Sequence, residues 1–417
     1  MAKVVRVGLV QMNSIVGDLP GNADKIRHYI HWAREQACDL VAFPELAVTG
    51  YPPEDLLLRP QFVERSLQVV REIAQVVEDE VVVLGYVDSQ ADGLYNAAAV
   101  LYQGRILATY HKINLPNYSV FDEERYFQAG RAPLLITLGD IRLGVSICED
   151  IWIDNNVVEA EALAGRADIL LNISASPYFI AKGAARRELM QNRARKTRSS
   201  VVYLNLVGGQ DELVFDGQSL VIGPDGRVLH SMAMLVEEAA VIDIDVDRIR
   251  RESEDKAYLA EHYHSAFQTM TEVQVPRKRS TELQHPGNGR LIEPSRPEEV
   301  YQALIMALRD YVSKNRFRDV CLGLSGGIDS ALVAALAVDA LGKEHVVAVS
   351  MPSHYSSQGS IDDAARLAEN LGIRLILYPI RAVYEEYVKT LSDTFAGLAD
   401  DNPAEKLDRK STRQNYS

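Results

Sequence analysis

The sequence contains little cysteine and no apolar segment long enough to cross a membrane. Its three cysteines, Cys38, Cys148 and Cys321, are odd in number and far apart, which favours free thiols in a reducing, cytoplasmic setting over a disulfide framework. No window approaches the roughly 18 apolar residues of a spanning helix. Charged residues interrupt the N-terminal apolar run, which argues against a signal peptide.

Basic residues are too few for general binding to nucleic acid or an anionic membrane. The 44 lysines and arginines stand against 58 aspartates and glutamates, a formal net charge of −14. Such a chain repels polyanions, so an anionic ligand requires a local binding site. The basic stretch "RRELMQNRARKTRS" is therefore interpreted as a solvated helix face or a contact with a partner domain.

A length of 417 residues exceeds one ordinary core, and the pattern changes along the chain. Residues 1–271 alternate short β-branched runs with amphipathic helices, which predicts layered sheets covered by helices. Residues 272–297 are polar and hold four prolines, which predicts a linker. Residues 298–400 alternate strand and helix patterns, which predicts a doubly wound parallel sheet, and 401–417 form an aperiodic polar tail.

Three reactive side chains follow three predicted strands. Cys148 ends "RLGVSIC", Glu45 follows "DLVAFP", and Lys112 follows "RILATYH". A cysteine at a strand end is commonly inert packing, but the two acidic residues directly after Cys148 are a poor choice for a core. If the three side chains meet, the thiolate attacks, the cation lowers the thiol pKa, and the carboxylate takes the proton. The lysine and a backbone N–H after the cysteine can stabilise an oxyanion.

The segments around these residues, "PELAVTGY", "HKINLPNYSVFDEERYF" and "SICEDIW", resemble the catalytic blocks of the nitrilase, or carbon–nitrogen hydrolase, family. The resemblance implies an αββα sandwich. It also implies that Glu45 is the general base, Lys112 stabilises the oxyanion, and Cys148 forms a thioester with an amide or nitrile carbon. A further carboxylate after the lysine is implied, for which Glu123 is the candidate between two flanking acids.

Two more segments, "NISASPYF" and "NLVGGQDELVFDGQS", resemble the glutaminase branch of this family. That resemblance implies a glutamine pocket containing Tyr118, Ser176 and Tyr178 together with Glu123. Serine and tyrosine near strand ends also cap and pack, so a structural role stays open for all three.

The segment "VCLGLSGGIDSALVAAL" reads as a buried strand, a glycine turn and a helix, with Cys321 packing in the core. This geometry presents backbone N–H groups and a helix N-terminus to phosphate. It lacks the Gly-Lys-Ser/Thr ending of a Walker loop and the spacing of a dinucleotide loop. It is similar to the pyrophosphate loop of N-type ATP pyrophosphatases, which implies that Asp329 holds Mg²⁺. The implied ATP-binding residues are Ser325, Gly326, Gly327, Ile328, Asp329, Ser330 and Met351.

Together the two halves are similar to the family of glutamine-dependent NAD synthetases. The resemblance implies that ammonia freed from glutamine attacks deamido-NAD adenylated by ATP, in a homo-oligomer without nucleic acid or membrane partners. The last residues depart from the family pattern, which predicts a missing C-terminal portion and an incomplete second domain. Three alternatives stay open: a stand-alone glutaminase or amidase with a non-functional nucleotide-binding domain, a module that binds ATP without turnover, and a synthetase that makes a different amide.

Overall fold

The structure is a computed structural model of the whole chain. It describes residues 3–277, 282–291, 294–353 and 356–395. The chain divides into two compact units, residues 1–314 and residues 315–417. Within the described ranges, no helix is both long and apolar enough to span a bilayer.

The described part of unit 1 is rich in short strands connected by helices. The strands are β1 Val4–Gln11, β2 Leu40–Ala42, β3 Val81–Gln90, β4 Gly93–Tyr102, β5 Arg105–His111, β6 Leu134–Leu138, β7 Ile141–Ile147, β8 Ile169–Ser174, β9 Ser200–Asn205, β10 Val207–Gln210, β11 Leu213–Asp216, β12 Leu220–Ile222, β13 Val228–Ser231, β14 Glu238–Asp245 and β15 Thr271–Val275. The α-helices are α1 Leu19–Glu35, α2 Pro60–Ala74, α3 Val157–Glu159, α4 Lys182–Thr197, α5 Val246–Arg251, α6 Lys256–His262 and α7 Arg296–Lys314.

Two mixed sheets and one hairpin organise these strands. The first sheet has the order β14–β1–β2–β3–β4–β5, with β1, β2 and β3 parallel. The second has the order β13–β12–β9–β8–β7–β6–β15, with β7, β8 and β9 parallel. Strands β10 and β11 form a separate hairpin. Because parallel strands end at the same edge of their sheet, the residues after β7 and β8 emerge side by side.

The two sheets pack face to face on a shared apolar core. Val7 and Val83 of the first sheet belong to one buried cluster with Val145 and Leu171 of the second. The outer face of the first sheet is covered by α1 and α2, and that of the second by α4. The helices bury one stripe each because their apolar residues recur at helical spacing, as in α2. The predicted αββα sandwich is confirmed.

Part of the stretch predicted as a linker runs along unit 1. Its beginning overlaps β15, which pairs in parallel with β6 at the edge of the second sheet. The N–H groups of Gln284 and His285 then donate to Asp243 at 2.7 and 2.8 Å. The segment "TEVQV" does alternate polar and apolar residues, but it is too short and polar to stand out as a strand in the sequence.

The described part of unit 2 is a small parallel α/β layer. Its elements are β16 Val320–Gly323, β17 Val346–Ser350, β18 Arg374–Leu377, α8 Ile328–Leu341, α9 Gln358–Leu371 and α10 Arg381–Phe395. The strands pair in parallel in the order β16–β17–β18, as the alternating pattern predicts. The expectation that Cys321 packs in the core is wrong. It is exposed because β16, in the described sheet, has a neighbour on one side only.

Candidate active site

A fully buried lysine lies between two carboxylates in unit 1. The Nζ atom of Lys112 donates to Glu45 Oε1 at 2.7 Å and to both carboxylate oxygens of Glu123 at 2.8 Å. The side chains of Lys112 and Glu45 are 0% exposed and that of Glu123 is 6% exposed. A buried ammonium is tolerated only when it is paired in this way. Of the three acids in the predicted block, Glu123 is thus the one that reaches the lysine.

Close packing of the first sheet places Glu45 and Lys112 together. Glu45 lies in the turn after β2, and Lys112 directly follows β5. Gly85 of β3 permits the close approach of this turn, since a Cβ there would lie 2.1 Å from the carbonyl oxygen of Pro44. Asn96 of β4 connects the pair, because its Nδ2 donates to Glu45 at 2.7 Å and its carbonyl oxygen accepts the Lys112 N–H at 2.8 Å.

The other oxygen of Glu45 reaches the second sheet. It accepts the N–H of Ala175, directly after β8, at 2.7 Å. Glu45 therefore spans the two sheets at their edge and is held on both oxygens. A carboxylate fixed in this way needs no reorganisation before it can act on a neighbouring group.

Cys148 begins a 3₁₀ turn directly after β7. Its φ of +42° lies in the left-handed region, which side-chain-bearing residues seldom adopt, and its side chain is buried. The buried carboxylate of Asp150 holds the turn. It accepts five hydrogen bonds: from the N–H groups of Ile147 at 3.0 Å, Ile113 at 3.3 Å and Asn114 at 2.8 Å, from the side-chain amide of Asn114 at 2.9 Å, and from the hydroxyl of Tyr110 at 2.7 Å. Sequence reasoning noted Asp150 only as unsuited to a core and missed this role.

Arg193 of α4 grips the far end of the same turn. Its guanidinium donates to the carbonyl oxygens of Ile151 at 2.8 Å and Trp152 at 2.9 Å, and to Glu159 at 2.9 Å. Arg193 is 4% exposed, and Arg186, the first residue of the same basic stretch, is 0% exposed. The interpretation of the basic stretch as a solvated face or a domain contact is therefore wrong for these two arginines.

The surroundings of Cys148 favour its protonated thiol form. Burial and the charge of Glu45 raise the pKa of Cys148 well above its ordinary value, although Lys112 opposes them. The expected lowering of the pKa by the cation exists but is outweighed. A thiol in this state needs a base to become a nucleophile, and Glu45 is the fixed carboxylate that interacts with it.

Lys112 and Glu123 respond to burial in opposite ways. Burial alone would lower the pKa of Lys112, but Glu123 and Glu45 outweigh it and hold the pKa well above its ordinary value. Burial raises the pKa of Glu123 despite the opposing charge of Lys112. The lysine is therefore a permanent cation, suited to binding a negative oxygen beside the thiol.

A second cation faces the thiol from α4. Burial and the neighbouring Arg186 lower the pKa of Lys182 to about 8. Glu149 and the thiolate form of Cys148 act in the opposite direction, which indicates that both lie near the ammonium. The ammonium of Lys182 donates to the carbonyl oxygen of Pro177 at 2.7 Å. Sequence reasoning missed Lys182, although it follows the block "NISASPYF" by three residues.

Arg186 is held beneath this region by a buried ion pair. Its guanidinium donates to the two carboxylate oxygens of Asp216 at 3.1 and 2.9 Å, and both side chains are 0% exposed. Asn205 donates to Asp216 at 3.3 Å and accepts the N–H of Ser176 at 2.9 Å. The loop that follows β8 is therefore anchored by polar contacts from below.

The three residues predicted to line a glutamine pocket have different surroundings. Tyr118 is half exposed, and its hydroxyl donates to Glu149 at 2.9 Å. Ser176 is buried, and the backbone N–H of Tyr178 donates to the carbonyl oxygen of Val214 at 2.6 Å. An open cavity of about 590 Å³ is lined by Tyr118 and Glu149 among other residues. Their role in binding stays a prediction.

The predicted phosphate loop of unit 2 connects β16 to α8. The Ser330 hydroxyl lies 3.1 Å from that of Ser325 and donates to the carbonyl oxygen of Gly327 at 3.0 Å. Gly326 has a φ of +82°, and a Cβ there would lie 2.1 Å from the carbonyl oxygen of Ser360. Ile328 and Asp329 open α8, whose first-turn N–H groups have no intrahelical partner. Met351 directly follows β17 and is about half exposed.

Comparisons with known proteins agree with this two-part organisation. The family model described as carbon–nitrogen hydrolase matches residues 6–252, and the one described as NAD synthase matches residues 300–411. An amidase from Nesterenkonia sp. shares 25% identity and a TM-score of 0.52, over 63% of this chain and 97% of that structure.

Longer relatives match almost the whole chain. A glutamine-dependent NAD(+) synthetase of Thermotoga maritima is 42% identical over 99% of this chain and 72% of its own length. One from Aquifex aeolicus is 42% identical over 96% of this chain and 70% of its length. The structure of the Acinetobacter baumannii glutamine-dependent NAD+ synthetase, in complex with ADP, shares 35% identity and a TM-score of 0.83, over 97% of this chain and 70% of that structure.

Proposed function

This chain belongs to the family of glutamine-dependent NAD(+) synthetases, and from that premise we propose what its residues do. It is an ATP-dependent ligase with a carbon–nitrogen hydrolase unit. We propose that unit 1 hydrolyses glutamine to glutamate and ammonia. Unit 2 uses ATP to adenylate deamido-NAD, and the ammonia displaces AMP to give NAD.

The observation that carries the proposal is the buried Lys112 between Glu45 and Glu123, all three of which interact electrostatically with the buried Cys148. Glu45 takes the thiol proton while sulfur attacks the amide carbon of glutamine. The resulting oxyanion is stabilised by Lys112 and by the N–H of Glu149 in the first turn after the nucleophile. When the tetrahedral adduct collapses, Glu45 returns the proton to the departing nitrogen, and ammonia leaves a thioester.

The same groups complete hydrolysis of the thioester. Glu45 removes a proton from water, the water oxygen attacks the thioester carbon, and the sulfur leaves as the thiol of Cys148 after regaining that proton. Glu123 keeps Lys112 charged and in place through both steps, as its two 2.8 Å contacts allow. The products are glutamate and an unchanged enzyme.

The charged ends of glutamine need opposite partners near the thiol. We propose that Lys182 pairs with the α-carboxylate and that Glu149, aligned by Tyr118, pairs with the α-ammonium. Lys182 interacts electrostatically with Cys148, and Glu149 follows Cys148 directly in the chain. Each would therefore lie close to the amide that Cys148 attacks. Ser176 and Tyr178 complete the pocket from the loop after β8.

Unit 2 would hold the nucleotide at the start of α8. The loop residues Ser325 to Ser330 present hydroxyls and N–H groups that suit pyrophosphate, and Met351 lies at the end of the adjacent strand, where the adenine would pack. Among the described residues, no group of three or more acids, histidines or cysteines could hold a metal. Asp329, in the first turn of α8, would offer one carboxylate ligand to a Mg²⁺ ion bound to the ATP phosphates, and that ion would offset their charge.

The test is NAD formation from amide-¹⁵N glutamine, ATP, Mg²⁺ and deamido-NAD. We expect ¹⁵N in NAD and one glutamate per NAD. Cys148→Ala should abolish glutamate release, whereas Cys321→Ala, which changes an exposed thiol, should retain it. Glutamate without NAD would leave a glutaminase with an inactive second unit, and glutamate release by Cys148→Ala would exclude the assigned nucleophile.

Two further assignments follow from the same chemistry. We place the protein in the cytoplasm, because its three cysteines are odd in number and far apart along the chain, as suits a reducing compartment. We also propose a homo-oligomer, and light scattering of the purified chain would give its mass directly.

A further inference from the structure

The double glycine of the "NLVGGQDELVFDGQS" segment has no part in the chemistry described above. Gly208 and Gly209 lie in β10, on the hairpin that β10 forms with β11. The last helix of unit 1, α7, packs against this hairpin, and Lys314 at its end is the last residue before unit 2. The contacts between α7 and the hairpin explain why glycine is present.

A buried aspartate fastens α7 to the hairpin. One carboxylate oxygen of Asp310 accepts the N–H of Gly209 at 2.7 Å and the side-chain amide of Asn13 at 2.8 Å. One turn later, the ammonium of Lys314 donates to the carbonyl oxygens of Gly209 at 2.8 Å and Ser14 at 2.9 Å. Asp310 is 7% exposed, so these contacts form away from bulk water, where hydrogen bonds to a charge are strong.

Both glycines are needed for this close approach. A Cβ at Gly209 would lie 3.0 Å from the Cα of Ala307, within α7. Gly208 has a φ of +123°, and a Cβ there would lie 2.2 Å from Asn13 Oδ1. At these two positions the backbone of β10, without side chains, therefore allows the close packing of α7 and Asn13.

The other strand of the hairpin touches the site. In the ladder, Gly209 is paired with Val214 and Gly208 with Phe215. The carbonyl oxygen of Val214 accepts the N–H of Tyr178 at 2.6 Å. The Phe215 ring meets the Tyr51 ring edge-on, with centroids 5.9 Å apart. The Tyr51 hydroxyl in turn donates to Glu123 at 3.0 Å.

We propose that Asp310 is a positioning residue for the glutamine site: by fastening α7 to the β10–β11 hairpin, it sets the place of the loop that carries Ser176 and Tyr178. The proposal rests on the proposed glutaminase function of unit 1. Glu123 is held by Lys112 as well as by Tyr51, so it does not depend on the hairpin alone. The loop, in contrast, has the carbonyl oxygen of Val214 in the hairpin as the acceptor for the Tyr178 N–H. Loss of the contact therefore weakens substrate binding more than it disturbs the reacting groups.

The experiment compares Asp310→Ala with Glu298→Ala, which removes an exposed acid from the first turn of the same helix. We expect Asp310→Ala to raise the KM for glutamine about tenfold or more, since small displacements of positioning groups have effects of this size. The kcat should fall less than threefold. Asp310→Asn keeps one acceptor oxygen and should restore KM to within about threefold of wild type. A general loss of stability would not produce this difference in KM between the two variants.

A second readout separates positioning from folding and from the proposed function. The alkylation rate of Cys148 by iodoacetamide, followed on its own peptide by mass spectrometry, needs no glutamine and should change less than twofold in Asp310→Ala. If wild type releases no glutamate, the proposed function fails at the outset. If Asp310→Ala does not fold, Gly209→Ala replaces it, with the same expected rise in KM. A KM equal to that of Glu298→Ala, or equal losses in kcat and alkylation rate, would overturn the positioning role.

Discussion

Lys112→Met is the substitution whose outcome depends most directly on the buried charges. Methionine has a similar length but carries no charge, so it fills the site and leaves Glu45 and Glu123 facing each other. Both carboxylates still share the amide of Asn96, at 2.7 and 3.3 Å. Removal of one partner from a buried ion pair destabilises a protein by roughly 3–5 kcal/mol, because the remaining charge is left without compensation. We expect unit 1 to lose about this much free energy of unfolding near pH 8.

The loss should shrink in acid. In the variant, one of the two carboxylates takes up a proton, so its folded-state pKa lies above the unfolded value of about 4.3. An acid with a raised folded-state pKa stabilises the folded protein at low pH, and that contribution is lost as the pH rises through the folded pKa. Between the two pKa values, the stability of the variant should therefore rise by about 1.4 kcal/mol for each pH unit of acidification.

Fluorescence can follow unit 1 alone. The chain has two tryptophans, Trp32 and Trp152, and both lie in unit 1. Urea denaturation of wild type and Lys112→Met at pH 8, 7, 6 and 5.5 gives the difference in free energy of unfolding. The double variant Lys112→Met/Glu123→Gln serves as control and should recover part of the loss. A difference below 1 kcal/mol at pH 8, or one that widens toward pH 5.5, would refute the reasoning.

Three further outcomes are expected. The KM for glutamine should rise as the pH increases through about 8, where Lys182 loses its proton, and Lys182→Arg should move this rise beyond pH 9.5; an unchanged profile would count against the pairing with the α-carboxylate. Asp150→Asn should lower kcat about tenfold or more with KM within twofold, because it loosens the turn that holds Cys148; a change in KM alone would speak against that reading. Asp329→Asn should stop pyrophosphate release from ATP and spare glutamate release, and parallel loss of both activities in a folded variant would contradict separate sites.

The sequence was sufficient for the layers and for the residues that meet in unit 1. Strands such as "VVRVGLVQM" are rich in β-branched and other apolar residues, and α2 has a regular apolar stripe, so both are visible as patterns. Glu45, Lys112 and Glu123 stand in distinctive segments at strand ends. The structure brings these three together, with Cys148 within electrostatic range.

Other features depend on distant contacts that no local pattern records. The pKa of Cys148 is raised because burial, which disfavours the thiolate, outweighs the opposing effect of Lys112. Arg186 and Arg193 are hydrophilic by type, yet they are buried because each pairs with a buried carboxylate, Arg186 with Asp216 and Arg193 with Glu159. Helix α7 is amphipathic in the sequence, but the two glycines against which it packs lie about 100 positions earlier in the chain, as the contact of Asp310 with Gly209 illustrates.

The protonated thiol at the site also bears on how the protein withstands oxidants. Peroxide reacts with thiolates and hardly at all with thiols, and reaction requires access. Cys148 is buried, and burial raises its pKa and so disfavours the thiolate, whereas Cys321 is exposed on β16, the strand that leads into the predicted phosphate loop. Under oxidative stress, damage should therefore begin at Cys321, and ammonia production should outlast nucleotide chemistry.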